Sequence, residues 1–213
     1  EEMQELGLGK AGIAVVHPGV DGEEFSRVLV PKALAPTVLY LGRLKAYKSV
    51  NVLIQAFRIV LSERPEARLV IAGDGEEREH LKRLARELRL SDEQVKFVGH
   101  IGHKEKVKLL QESWMLVNPS FREGWGIVAV EASAAGTPVI ASDVPGLRDS
   151  VRDQSTGYLV EYGDVKGFAE RIVLVIRDKE LREGLATNAR VWAGNFSWSR
   201  SSEAFLKALM ERV

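Results

Sequence analysis

Two carboxylates and a short run of cations stand out along this chain, because their types and spacing suit the binding of a charged, hydroxyl-rich ligand. The stretch from Asn118 to Ser142 reads NPSFREGWGIVAVEASAAGTPVIAS. It predicts a strand ending at Asn118 and a loop holding Glu123-Gly124-Trp125-Gly126. A helix from about Ile127 to Ala135 follows, stops at Gly136 and leads into a buried strand. Glu131 is the only charged side chain between Gly126 and Ser142. A helix this apolar must be buried over most of its surface, and an unpaired carboxylate inside it is costly. Glu131 therefore needs donors: a loop backbone, a distant arginine, or ligand hydroxyls. Glu123, at the loop mouth, shifts the balance toward the ligand. The glycines beside the helix start allow close backbone approach and leave N–H groups facing outward, where an anion is favoured.

The cations are Arg43, Lys45 and Lys48, in the segment Gly42-Arg43-Leu44-Lys45-Ala46-Tyr47-Lys48. It lies between a predicted strand, Val38–Leu41, and a helix beginning near Val50. Basic side chains at the C-terminal end of a strand sit on the ligand side of an open α/β sheet. Each charge-assisted bond to a phosphate is worth roughly 1.5–3 kcal/mol. A plain solvated basic loop remains the alternative. Gly73-Asp74-Gly75 occupies the equivalent place after the next strand and reads as an ordinary glycine turn. Two look-alikes are set aside. Gly7-Leu8-Gly9-Lys10-Ala11-Gly12 has dinucleotide-fingerprint spacing, but precedes a strand instead of following one. His100-Ile101-Gly102-His103 spells a synthetase tetrapeptide without its companion loop, and no third ligand stands near its two histidines for a metal.

The elements that must position these residues alternate regularly. Val38–Leu41, Leu69–Ala72, Met115–Val117 and Val139–Ala141 read as strands with no polar face; Val95–Val98 is shorter and alternating. Between them Val50, Leu53, Ile54, Phe57 and Leu61 recur at helical spacing, as do Leu81, Leu84, Ala85 and Leu88. Val165, Phe168, Ala169, Ile172, Val173 and Ile176 repeat the pattern. Strands buried on both faces, alternating with one-sided helices, predict an α/β fold with a doubly wound parallel sheet and C-terminal helices. The expected division is an arm over 1–36 with a short strand Ile13–Val16, a domain over 37–198, and a final helix over 199–213.

The chain has 213 residues, 30 basic and 30 acidic side chains and no Cys. That length suits one domain of roughly 100–200 residues with a substantial core. Zero net charge argues against a general nucleic-acid binder. Without Cys there is no disulfide framework, thiolate zinc site or thiol nucleophile. No apolar run approaches the ~20 residues of a membrane span, and the acidic start lacks a signal-peptide core. The expected location is the cytoplasm, or the cytosolic membrane face.

Several motifs in one order make a resemblance specific. Pro119-Ser120, then Glu123-Gly124-Trp125-Gly126-Ile127 through Glu131, resembles the Glu-seven residues-Glu signature of retaining glycosyltransferases of the GT-B fold, family four, group one. Gly136-Thr137-Pro138-Val139-Ile140-Ala141 resembles that signature's continuation, and Gly42-Arg43-Leu44 with Lys48 its phosphate motif. Gly73-Asp74-Gly75, Gly157-Tyr158-Leu159-Val160 and Phe196-Ser197-Trp198 fall in family order, as does His17-Pro18-Gly19-Val20-Asp21 with Phe25. The chain departs from the pattern at Ser49, where Lys-Gly is usual, at His17-Pro18, and at Gly146–Val151.

The resemblance implies the C-terminal, donor-binding Rossmann-like lobe of such an enzyme, moving a hexose from a UDP-, GDP- or ADP-sugar to a glycan, lipid or small molecule. The alternative is a free-standing nucleotide-sugar-binding module or subunit. Arg43 and Lys48 would bind the pyrophosphate with backbone N–H groups from Gly124 through Trp125 and Gly126 to Ile127. Glu123 would hold hydroxyls of the transferred sugar and Glu131 the ribose. Gly42 and Gly73 would line the site, and the base would lie near Gly99–Ile101. Metal independence and retention of anomeric configuration are implied likewise. The implied partner is an N-terminal acceptor lobe, through which peripheral membrane contact would run.

Overall fold

Strands with no polar face need cover on both sides, and the helices provide it. The computed structural model describes residues 14–26 and 30–210. A short helix α1 (Gly22–Ser26) precedes strand β1 (Thr37–Leu41), a 3-10 turn (Ala46–Lys48) and α2 (Val50–Glu63). Then come β2 (Arg68–Ala72), α3 (Arg78–Glu87), β3 (Val95–Gly99), α4 (His103–Glu112) and β4 (Met115–Asn118). After β4 lie α5 (Ile127–Ala134), β5 (Val139–Ser142), α6 (Pro145–Ser150) and β6 (Gly157–Val160). The chain ends in α7 (Val165–Arg177), α8 (Lys179–Ala193) and α9 (Trp198–Met210). Asp164 and Asp178 cap the two helices before the last, each accepting a 2.9 Å bond from a backbone N–H of the first turn.

The six strands form one sheet in the order β3-β2-β1-β4-β5-β6. Every pairing is parallel. Chain order runs outward from β1 to β3, then restarts on the other side of β1 with β4. This is the doubly wound arrangement, and its switch point lies between β1 and β4.

Alternation along the strands divides the core in two. Val38 and Tyr40 of β1, Leu69 and Ile71 of β2, and Met115 and Val117 of β4 face a layer built with α2, α3 and α7. Leu39, Ala72, Leu116, Val139 and Ala141 face the other, with α5 and Leu147 of α6. Edge strand β3 keeps Lys96 exposed, as its alternation predicts.

The five strands expected from residue 37 onward all form, within a residue or two. The sixth, β6, was not foreseen as a strand: GYLV is short and partly aromatic, and its membership comes from pairing with β5. The short strand expected at 13–16 does not form over residues 14–16, which pair with no strand among the described residues; Ile13 lies outside them. Helix α9 has no buried residue, and Trp198, Phe205, Leu206, Leu209 and Met210 are exposed along it.

The loops after β1 and β2 make one of their tightest contacts between two glycines. Gly73 has φ +136°, and a Cβ there would sit 1.8 Å from the Gly42 carbonyl oxygen. Gly42 N–H donates to Ala72 O at 3.0 Å across the same contact. Gly73→Ala should therefore destabilise the fold by about 2–3 kcal/mol through combined overpacking and backbone strain. Chemical denaturation of the two proteins measures it; equal midpoints would contradict the close approach.

Candidate functional site

At the switch point the chain leaves β1 in one direction and β4 in the other, opening a crevice at the C-terminal end of the sheet. From β1 it runs through Gly42, Arg43 and the 3-10 turn to Lys48. Tyr40, buried in β1, donates its hydroxyl to the Arg43 carbonyl at 2.8 Å and so holds the loop's shape. Burial raises the Tyr40 phenol well above its usual range, with Glu123 adding to the rise. The Arg43 guanidinium is exposed and donates to the Tyr47 hydroxyl at 2.7 Å.

From β4 the chain turns at Pro119, where Asn118 Oδ1 accepts from the Ser120 hydroxyl at 2.6 Å. Phe121 N–H donates to Tyr47 O at 2.8 Å, tying the loop to the one after β1. Two residues on, Glu123 Oε2 meets Lys48 Nζ at 2.5 Å, with both side chains more than four-fifths buried. The sequence-predicted sugar carboxylate and phosphate cation are thus brought into one ion pair. One N–H of the ammonium is taken by it and two are left for further acceptors.

Gly126 then takes the left-handed conformation, φ 75° and ψ 51°, and no side chain caps α5. A Cβ at Gly126 would lie 2.7 Å from Leu147 Cδ2, so the turn needs glycine on steric grounds too. Gly146 backs the same loop: a Cβ there would fall 2.1 Å from the Glu123 carbonyl. The uncapped first turn of α5 leaves backbone donors beside the Lys48–Glu123 pair, an anion-favouring arrangement.

Trp125 points its ring away into an aromatic cluster. It stacks on His17 at 5.3 Å and meets Phe196 edge-on at 5.1 Å. Only the backbone of Trp125 is left to serve a ligand. Its Nε1 is buried without a hydrogen-bond partner. The Ile127 side chain is exposed at the crevice.

Glu131 is 8% exposed on α5. Its partner is neither an arginine nor a loop backbone: Lys106 of α4 donates to Oε1 at 2.6 Å. Lys106 also lies over the Phe25 ring, 5.4 Å from its centroid. Sequence reasoning missed Lys106, one of three alternating lysines in HKEKVKLLQE, because only the packing of α4 on α5 selects it. Gly99 closes β3 with φ 75°, and the Arg78 guanidinium lies 3.5 Å from where its Cβ would be. Arg78 in turn pairs with Asp74 at 2.7 Å. A bond from Gly75 N–H, then Arg78, holds the Asp74 carboxyl below its usual range. Half-buried Ile101 follows in the β3–α4 loop. Among the described residues no His, Asp and Glu cluster is placed to hold a metal ion, and no helix is long and apolar enough to cross a membrane.

These groups gather on loops and helices at one end of a Rossmann-like sheet, the architecture of a GT-B lobe. The chain belongs to the family described as glycosyl transferases group 1, which matches residues 21–192. It is 35% identical over 212 residues to a D-inositol 3-phosphate glycosyltransferase of Streptomyces scabiei, covering 90% of this chain and 47% of that protein. It is 34% identical over 207 residues to a glycogen synthase of Mycobacterium tuberculosis, covering 96% and 50%. The chain thus spans about half the length of these relatives. Among solved structures, sucrose-phosphate synthase from Thermosynechococcus elongatus superposes with TM-score 0.82 at 29% identity, over all of this chain and 56% of that one. Anabaena HepE in complex with UDP-glucose gives TM-score 0.82 at 22% identity, over 99% and 62%; that likeness is one of fold.

Two outcomes test the site's supports. Removing the Tyr40 hydroxyl deletes one neutral hydrogen bond, so Tyr40→Phe should cost about 1 kcal/mol at neutral pH. Folded Tyr40 keeps its proton above pH about 10, where the unfolded chain loses it. The unfolded state then binds fewer protons, so stability falls as pH rises. The wild type should lose stability above that pH more steeply than Tyr40→Phe, as denaturation midpoints across pH 8–11 would reveal. Lys106→Met leaves a buried carboxylate alone and should cost about 2–4 kcal/mol, with much of it recovered in Lys106→Met/Glu131→Leu. Additive losses in that cycle would refute the pairing.

Proposed function

We propose that this chain is the donor-binding half of a retaining glycosyltransferase, which moves a hexose from a nucleoside diphosphate sugar to a hydroxyl acceptor. The observation that carries the reading is the Lys48–Glu123 pair in the switch-point crevice, beside the uncapped start of α5. A cation and backbone donors there suit a diphosphate, and a carboxylate suits sugar hydroxyls. The relatives named for glycosyl transfer and glycogen synthesis, and the HepE complex with UDP-glucose, support the same assignment.

In this reading Lys48, Arg43 and the N–H groups from Gly124 to Ile127 hold the two phosphates. Glu123 accepts from hexose hydroxyls while keeping Lys48 aimed at the phosphate. Glu131, oriented by Lys106, accepts from the ribose, and the base lies by Gly99–Ile101. When the bond between C1 and the phosphate oxygen breaks, its electron pair stays on the diphosphate. Lys48, Arg43 and the helix terminus are already aimed at that growing charge, and preorganised donors lower the barrier without reorganising. The α5 terminus contributes up to about 2 kcal/mol in a partly buried site. These groups do the work that a divalent cation would otherwise do. The acceptor oxygen bonds to C1 on the face the phosphate leaves, passing its proton to the departing phosphate oxygen, so configuration is retained. Most of the acceptor's contacts are left to a partner lobe, and the cytoplasm, where nucleotide sugars are made, is the proposed location.

Titration calorimetry with UDP, GDP and ADP should find at least one dissociation constant between about 1 μM and 1 mM, or about −8 to −4 kcal/mol. Lys48→Ala should weaken it about tenfold or more, by loss of charge-assisted bonds. Glu131→Ala should weaken it while circular dichroism shows the fold intact. The chain alone should transfer no hexose to an added glycan. If none of the three nucleotides binds at millimolar concentration, the site assignment fails; transfer by the chain alone overturns the half-enzyme reading.

A further inference from the structure

Beside the ion pair, one rim of the crevice is built from aromatic rings that neither the core nor the diphosphate uses. Phe121, two residues before Glu123, is 52% exposed, and Tyr162, just beyond β6, is 42% exposed. Their ring centroids lie 4.9 Å apart with planes tilted by 57°. Tyr47 borders the same rim, 5.3 Å from Lys48 Nζ at its ring centroid.

These rings are held, although they are exposed. The Phe121 main chain is fixed through its N–H on Tyr47 O, and its ring by the contact with Tyr162. The Tyr162 hydroxyl lies 3.2 Å from Ser49 Oγ. Ser49 itself is strained: its φ of 51° and ψ of 37° are left-handed, a conformation that glycine adopts freely and serine does not. Glycine would relieve that backbone but give up the hydroxyl that meets Tyr162. Backbone strain at the residue next to Lys48, combined with a side-chain bond to an exposed ring, points to a ring whose position matters. A solvated tyrosine needs no such anchor.

We infer that Phe121 and Tyr162 form a stacking platform for a pyranose ring of the acceptor, so that this lobe binds the acceptor sugar as well as the donor. The inference rests on the donor-site reading above. Aromatic faces carry negative charge density and attract the slightly positive C–H groups along one face of a sugar ring. Both side chains are rigid and present apolar area at little entropic cost. Phosphates find no cation in this pair of rings, and the transferred hexose is already engaged by Glu123. A sugar lying on the platform would reach its hydroxyl toward the C1 position beside Glu123.

Saturation-transfer NMR on the chain with UDP bound, using maltotriose, cellotriose and mannotriose as probes, tests this. At least one trisaccharide should receive saturation from the aromatic protons. Phe121→Ala and Tyr162→Ala should each weaken that binding about fivefold, and Phe121→Trp should preserve it. Ser49→Gly should raise the unfolding midpoint yet weaken the trisaccharide; a purely structural Ser49 would move only the midpoint. UDP affinity, measured by calorimetry in every variant, should stay within about twofold. If the wild type binds GDP or ADP in place of UDP, the same measurements are made with that nucleotide, and binding of none of the three would instead sink the donor-site reading. Binding of no trisaccharide, or binding unchanged in Phe121→Ala, overturns the platform. An effect of Phe121→Ala on UDP-glucose but on no trisaccharide assigns the rings to the transferred sugar and also overturns it.

Discussion

The reversal of strand order between β1 and β4 is the constraint on which the rest of this structure depends. Parallel strands must be joined by crossovers, and right-handed crossovers to either side leave the sheet's two halves diverging from their shared centre. No connection can fill the gap at the C-terminal ends of β1 and β4. The two loops that border it come from positions some 75 residues apart, Lys48 and Glu123, yet the parallel register of β1 and β4 places them face to face. The ion pair follows from the topology.

Given that crevice, the chemistry is one of balanced charge in a partly dry place. Lys48 is matched by Glu123 and Lys106 by Glu131, so the site carries cations and carboxylates without a large net field. Each partner keeps the other from being an isolated buried charge, which would be strongly unfavourable. The same pairing keeps both groups available: an ammonium retains N–H donors and a carboxylate retains lone pairs. The loops that carry them are positioned by contacts that tolerate little change. Gly73 against Gly42 and Gly146 against the Glu123 carbonyl bring backbone to within a distance no side chain permits, and Gly126, left-handed, packs on Leu147. Tyr40 adds a hydrogen bond from beneath.

The departures from the family pattern acquire physical meaning in this setting. His17 stacks on Trp125 and so fastens the segment before β1 to the loop carrying Glu123. In the Gly146–Val151 departure, the first residue keeps the family's glycine and lets α6 back that loop. Ser49 occupies a glycine-like conformation and spends its hydroxyl on Tyr162. None of the three disturbs the paired charges.

Fold class and strand sequence were legible because buried parallel strands are continuous apolar runs, and four of the five strands expected from residue 37 onward are just that. The two glutamates, Arg43 and Lys48 were legible because each is a polar residue at a position the pattern marks as buried or as a strand end. β6 was not legible: a glycine, a tyrosine and two aliphatic residues carry too little periodicity, and pairing with β5 decides the matter. Lys106 was not legible either, since helix α4 offers alternating lysines and only its packing on α5 brings one to Glu131. The Phe121–Tyr162 rim joins loops after β4 and β6, which no local pattern connects. The sequence by itself thus determined which residues are apolar and which are charged at each strand end, because those are local properties of chain and side chain. Which charge meets which, and which rings share a rim, was decided only by the tertiary structure, because partners in a doubly wound sheet come from crossovers far apart along the chain.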